Sequence, residues 1–540
     1  ERGVAVTVAA NSTSDITLNP RKNIAWVKGE SASITNSDLN HCDSDSPADC
    51  ANVPYAVALD GTYNLTVADG AELHIESGKT FAPGGTVTTS VSSTPADRDG
   101  DIHIAGTFSV GTNAVSCGGD WNNAGTFAKS TGQTTTFTAT NTGFSITDGG
   151  SNFDTLVFNG SNGGWSFADS TTIDVDLTMT AGSLSGTNDI TVNGGNATGT
   201  GTGDINLTGG TFLLDGAGNF GGAADWDFSN LTFGNGSGAT TTTKTGSGNI
   251  TVSNVLTIAA EQILDAGDDT WTLSGNTGTP FVKTGTFTAN NSTIKYTGNN
   301  TGGNTNVVST TYYNLYLDNS LETYDAAGDI TSSVFTINTG TFDQGANKNL
   351  TVNGNFTIAA SGATFTKGTG TSTLILAGTV ANATFTGPST PQNLGKVQIG
   401  SSPGDVYLAS DFSADSLTVD AGDTFYTKGY EVDIGSGGVS LTAGSPGGKI
   451  DTTDSGDPGY EGNGTIITDA GAFTINSGAL FTKCVQTNRR SLVKMDGGGA
   501  ANFTSNSQDI GDFRISTAST NITLQDDLDA DNITIEISST

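Results

Sequence analysis

The chain is 540 residues long, with 75 glycines, 11 prolines, 34% hydrophobic residues, 14% charged residues and a formal net charge of −34. A single globular core rarely extends past about 250–300 residues, whereas a repeat fold gains length by adding units to a stack. The acidity excludes nucleic acid as a partner, because a polyanion is repelled and no basic patch with interleaved aromatics occurs, and no apolar run of about 18 residues is present to span a membrane.

The chain begins ERGVAVTVAAN, without the charged and apolar regions of a signal peptide, so the reading is of a mature exported product whose signal has been removed. Residues 1–60 depart from the repeat that follows and are read as an N-terminal cap or docking segment. Within them Cys42 and Cys50 bracket the loop CDSDSPADC, which predicts a short disulfide-closed loop and an oxidising compartment.

Next comes DRDGD, where Asp97, Asp99 and Asp101 alternate around a glycine. That spacing lets a turn wrap carboxylates about a hard cation and makes calcium the expected cofactor, although the downstream bidentate Glu of a full EF-hand loop is missing. Asp43, Asp45 and Asp49, and Asp451, Asp454 and Asp457, are weaker sets of the same kind. Cys117 and Cys484 stand far apart in sequence, as free buried thiols or as thiols that pair between molecules.

From residue 61 to 540 the chain repeats. NITVSNVLTIAA from Asn249 matches NLTVNGNFTIAA from Asn349, and the pairs Leu156/Phe158, Leu231/Phe233, Leu315/Leu317, Val397/Ile399 and Phe513/Ile515 recur along the chain. Each is followed about 20–25 residues later by a further apolar residue: Leu177, Leu256, Phe335, Leu417 and Ile533. From Phe335, apolar pairs begin again at Phe342, Leu350 and Phe356. Three short strands that close after about 21 residues predict an all-β parallel β-helix, a β-solenoid with its fourth strand stacked on its first. Ile173, Val175, Leu177 and Met179 alternate with polar residues and predict one buried and one wet face. Phe108, Phe127, Phe287 and Phe342, each after Gly-Thr, are expected in the core. Residues 436–500 are a turn-rich excursion that gathers Lys483, Arg489, Arg490 and Lys494.

GDWNNAGTF around Trp121, the Leu-Thr-Val and Phe-Thr-Ile strands near Asn349 and the FDTLVF-like element resemble the repeats of large bacterial and archaeal surface β-helix proteins of the adhesin type. The resemblance covers roughly residues 60–540 and implies export, surface display, and adhesion or assembly, with no catalytic residue carried over. Asn-X-Ser/Thr sequons at Asn64, Asn249, Asn291, Asn349, Asn355 and Asn532 permit glycosylation on such a surface.

The expected function is therefore a secreted, non-catalytic structural protein. It is either a filament subunit whose partner is itself, stacked head to tail, or an adhesin stalk touching surface glycans. The alternative is a polysaccharide-degrading β-helix enzyme, lyase or hydrolase, with carboxylates aligned from adjacent coils. His41, His74 and His103 neighbour no nucleophile motif. The runs TTTFTAT near Thr134 and TTTTKT near Thr240 raise an ice-binding reading. That reading requires threonine at a fixed register over many coils, and the runs are local in sequence.

Overall fold

The computed structural model describes the backbone of four short strands before residue 60 (Ile16–Leu18, Ile24–Val27, Leu39–His41 and Val57–Ala58). From residue 65 it describes the chain outside 68–71, 76, 79, 84, 96–98, 360, 380–382, 401–403, 454–464, 469–470, 487–488, 498, 517–520 and 537–540, with backbone only at 465, 467, 485–486 and 489–490. The chain divides into two compact units, 1–272 with 282–288, and 273–281 with 289–540. Among the described residues there is no helix. The strands form a parallel β-solenoid of about 20 turns with successive coils about 21 residues apart.

In the first unit three stacks of strands line the coil. One runs through Val87–Thr89, Val115–Cys117, Thr134–Phe137, the start of Thr155–Phe167, the start of Asp176–Gly186 and Asn196–Gly199, all parallel and in register. A second runs through Glu72–Ile75, Ile102–Ile104, Trp121–Asn123 and Thr142–Thr147 into the later halves of the same long strands. The third carries Thr80–Ala82, Thr107–Gly111 and Thr126–Lys129 and, further on, Thr171–Ile173, Ile190–Val192 and Thr211–Leu214. The long strands pass from one face to the next through irregular pairing, as between Phe158 and Gly164.

The spacing read from sequence is the register of the stack. Leu156 pairs Leu177, Leu231 pairs Leu256, Leu315 pairs Phe335, Val397 pairs Leu417 and Phe513 pairs Ile533. In the second unit Phe335 continues to Phe356 and Phe385, and Leu417 to Val439, Phe473 and Phe503. Coils lengthen within 436–500, where Val432 pairs Ile466 and Val439 pairs Phe473. The alternation through Ile173 breaks at one place: Val175 is only half-buried, because Thr171–Ile173 ends one face and Asp176–Gly186 begins the next. A corner residue has no face to point into, so the period of two does not carry across it.

The core is a set of inward columns. Phe137 and Phe158 stack with centroids 5.4 Å apart at 18°, and Trp165 lies 5.1 Å from Phe158. Phe108, Phe127, Phe287 and Phe342 are all buried, as their Gly-Thr-Phe setting predicts. Backbones approach closely at corners. A Cβ added to Gly118 would lie 1.6 Å from the carbonyl oxygen of Ser90, so no side chain fits there.

At several corners, side chains bind successive coils through a recurring hydrogen bond. The residue just before an inward apolar position accepts, through its side-chain oxygen, the backbone N–H of its counterpart in the next coil. Asp101 Oδ1 takes Asp120 N at 2.7 Å and Asp120 Oδ1 takes Ser145 N at 2.7 Å. Asp189 takes Thr211 N at 2.7 Å, Asp225 takes Asn249 N at 2.6 Å and Asn249 takes Thr270 N at 3.1 Å. In the second unit Asp329 takes Asn349 N at 2.8 Å, Asn349 takes Thr373 N at 3.1 Å and Asp411 takes Glu431 N at 2.9 Å. Corner N–H groups cannot join the strand ladder, and this acceptor satisfies them.

Replacing Phe158 by Ala is expected to cost about 3–5 kcal/mol, the range for truncating a fully buried aromatic, read as a lower urea midpoint with no loss of far-ultraviolet β signal.

Candidate functional site

The DRDGD turn was the first metal candidate. Asp97 lies outside the described residues. Asp99 accepts a hydrogen bond from Ser90 Oγ, and Asp101 is the corner acceptor for Asp120 N. Among the described residues no group of three or more His, Cys, Asp or Glu is placed to hold a metal ion. Asp43, Asp45, Asp49, Asp454 and Asp457, the loop cysteines Cys42 and Cys50, and the sequon Asn64 also lie outside the described residues. Asp451 is described; it pairs with Lys449 Nζ at 2.7 Å and accepts from Thr453 N at 2.8 Å.

Cys117 and Cys484 are free and buried, the first of the two alternatives the sequence leaves open. Cys117 Sγ lies 3.5 Å from the carbonyl oxygens of Gly119 and Asp120. Burial, with a smaller push from Asp101 and Asp120, holds its thiol far above the ordinary value. It is a neutral core thiol, since reactivity requires thiolate.

The structure joins two histidines that sequence reading left separate. His74 and His103 occupy the same register in adjacent coils, with ring centroids 4.6 Å apart at 26°, and His74 Nδ1 lies 3.6 Å from Glu72 Oε1. Glu72 and His74 are buried. The signal was present: Leu-His-Ile and Ile-His-Ile are the same outward-His strand one coil apart.

The sequons have a structural origin. An Asn at a strand entry, an inward apolar residue and an outward Thr together spell Asn-X-Thr. Asn249 and Asn349 are corner acceptors, and Asn355 Oδ1 accepts from both Thr384 N and Thr384 Oγ1, at 3.1 and 3.0 Å. Asn532 differs, because its Nδ2, the atom a glycan would occupy, donates to Asp512 Oδ1 at 2.7 Å. Asn291 is exposed in a turn.

Lysines staple coils. Lys129 contacts Asp154 at 3.8 Å and also Asp174, and Lys367 reaches Asp415, two coils on, at 2.6 Å. Lys483 pairs with Asp509 and, at 2.7 Å, with Asp531, while Lys494 pairs with Asp496. The two lysines of the basic stretch are thus neutralised by the chain's own acids. Arg489 and Arg490 form a short antiparallel pairing with Val485 and Gln486.

One lysine points inward. Lys244 occupies the core column between Phe220 and the next coil, its side chain 0% exposed. Its ammonium donates to Asp269 Oδ2 at 2.7 Å, Thr245 O at 3.1 Å and Gly246 O at 3.4 Å, which satisfies all three N–H bonds. Sequence reading missed it because Lys244 sits within TTTTKT, where Thr242 and Lys244 are the buried positions.

Carboxylates crowd elsewhere. Burial, then the charges of Asp227 and Asp225, raise the Asp204 carboxyl above its ordinary value. Burial likewise raises Asp120 and Asp148. Asp318 moves the opposite way, lowered by hydrogen bonds from Lys295 and Asn338.

This geometry defines a parallel β-solenoid repeat protein, with long in-register columns and side-chain staples between coils. No protein family, no curated protein and no solved structure matches the chain.

Two measurements test the electrostatics. Breaking the buried pair with Asp269→Ala is expected to cost about 3–5 kcal/mol, whereas Lys244→Met with Asp269→Ala costs much less, because an apolar side chain leaves no uncompensated charge; denaturant titration of both variants compares them. A carboxyl whose folded value is raised favours the protonated form, so its stabilisation is present at low pH and is lost as pH rises through that folded value. Asp120, Asp148 and Asp204 therefore push the melting temperature up as neutral solution is acidified into the carboxylate range, and Asp318, whose lowered value favours the ionised form, pushes it down. Asp204→Asn should raise it at neutral pH and flatten part of that dependence.

Proposed function

We propose that the chain is a structural, non-catalytic protein displayed outside the cell, which associates with further copies of itself by stacking coil on coil. One observation carries this reading: coil meets coil through an apolar column and a parallel strand ladder, as Val397 on Leu417 and Leu417 on Val439. A contact of that kind can be made between copies as well as within one. In the assembly we propose, coils of separate copies meet in this way, and repetition of a head-to-tail contact that does not close builds a filament.

The acidic surface, at −34, supports export and display, since self-repulsion keeps such chains apart except where a specific apolar contact overcomes it. The adhesin-type resemblance supports the same role, as stalk or filament, in a bacterial or archaeal setting.

Sedimentation velocity of the full chain over a hundred-fold concentration range tests the reading. Species larger than the monomer should accumulate with concentration. A wild-type chain that stays monomeric throughout would refute self-association.

A further inference from the structure

The register of the first unit assembles a surface that is dispersed in the sequence. Thr66, Thr88, Ser116, Thr136, Val157, Thr178 and Thr198 occupy one outward position in consecutive coils, paired strand to strand in parallel register. All are partly exposed. The six hydroxyls of this column have no hydrogen-bond partner among the described residues, nor any interaction left unnamed there. Elsewhere outward polar side chains pair across coils, as Asn338 Nδ2 does with Asp318 at 2.7 Å and Asn254 Nδ2 with Asn230 at 2.8 Å. The run TTTFTAT is local in sequence, but its Thr134, Thr136 and Thr138 are one rung of this ladder.

Charge is also missing from the face. From the coil of Thr88 to that of Thr198, the outward positions two before and two after the column carry a single ionisable side chain, Asp176, and Asn196 Nδ2 holds it at 2.9 Å. In a chain of net charge −34 this is a neutral strip.

We propose that this face binds ice. Three properties select an uncharged, hydrogen-bonding solid with a fixed lattice. The hydroxyls repeat at the strand spacing, ~4.8 Å, in every coil of the column but that of Val157, on a backbone held by its ladder. The branched Cβ of threonine restricts χ1, which limits the orientations its methyl and hydroxyl take. The absence of charge leaves water near the face free of the radial ordering an ion imposes. A crystalline polysaccharide is the other neutral lattice. It would be gripped by aromatic faces stacked against sugar rings, and this strip has no ring.

Ice-recrystallisation inhibition by the full chain tests the proposal, with Thr136→Lys plus Thr178→Lys as the disrupting variant. Thr351→Lys plus Thr418→Lys, on an outward column of the second unit, is the control. The wild type and the control should inhibit crystal growth at similar concentrations, and the Thr136/Thr178 variant should need at least ten-fold more protein. If circular dichroism shows that variant unfolded, Thr136→Ser plus Thr178→Ser replaces it, and loss of the branched methyls should still weaken inhibition several-fold. A wild type without effect on ice overturns the proposal, as does inhibition that survives the substitutions in a folded variant. Co-sedimentation with crystalline cellulose but no effect on ice would also overturn it and reassign the face to a polymer. None of these outcomes depends on self-association, which is read separately by sedimentation velocity.

Discussion

Stacking of one coil on the next in parallel register is the constraint from which the remaining features follow. Each coil is too small to bury its own apolar residues and cannot satisfy its own strand hydrogen bonds, so both requirements pass to its neighbours. Once Leu156 stands on Leu177, every residue nearby is committed to inward, outward or corner duty. A slip of one residue would turn the inward column out to water.

Corners are where that scheme is most exposed, because backbone groups there leave the ladder. The chain answers with side-chain oxygens at a fixed place: Asp101 to Asp120 to Ser145 in the first unit, Asp329 to Asn349 to Thr373 in the second. This role accounts for residues that otherwise invite functional readings. Asp101 is one of the three aspartates of an apparent calcium motif and Asn349 an apparent glycan acceptor, yet each has a structural hydrogen bond sufficient to explain its presence. Acidic residues also serve as anchors for lysines from other coils, and the net charge of −34 is what remains after all such pairs cancel.

Interior chemistry is sparse and specific. Lys244 with Asp269 breaks an inward apolar column, and His74 with Glu72 is a second buried polar grouping, on the outward side of its strand, where His74 stacks on the half-buried His103. A buried ion pair adds little stability over an apolar pair but penalises misregister strongly, because a one-rung slip would leave an unpaired charge in the core. We read Lys244 as such a register lock within a column otherwise built from interchangeable apolar residues.

The fold was legible in the amino-acid sequence because a solenoid writes its contacts at a nearly constant separation: five apolar pairs and their followers about 20–25 residues on are the pairs that stack. Inward aromatics after Gly-Thr were legible for the same reason. What sequence alone did not decide is which residues from different coils share an outward column, because coil lengths vary with turn insertions and small errors in register accumulate. Only the stacked structure brings His74 beside His103, turns Val175 out at a corner, places Lys244 in the core and aligns Thr66 through Thr198 into one ladder. Local pattern determines that a strand has two faces; the tertiary stack determines what each face meets.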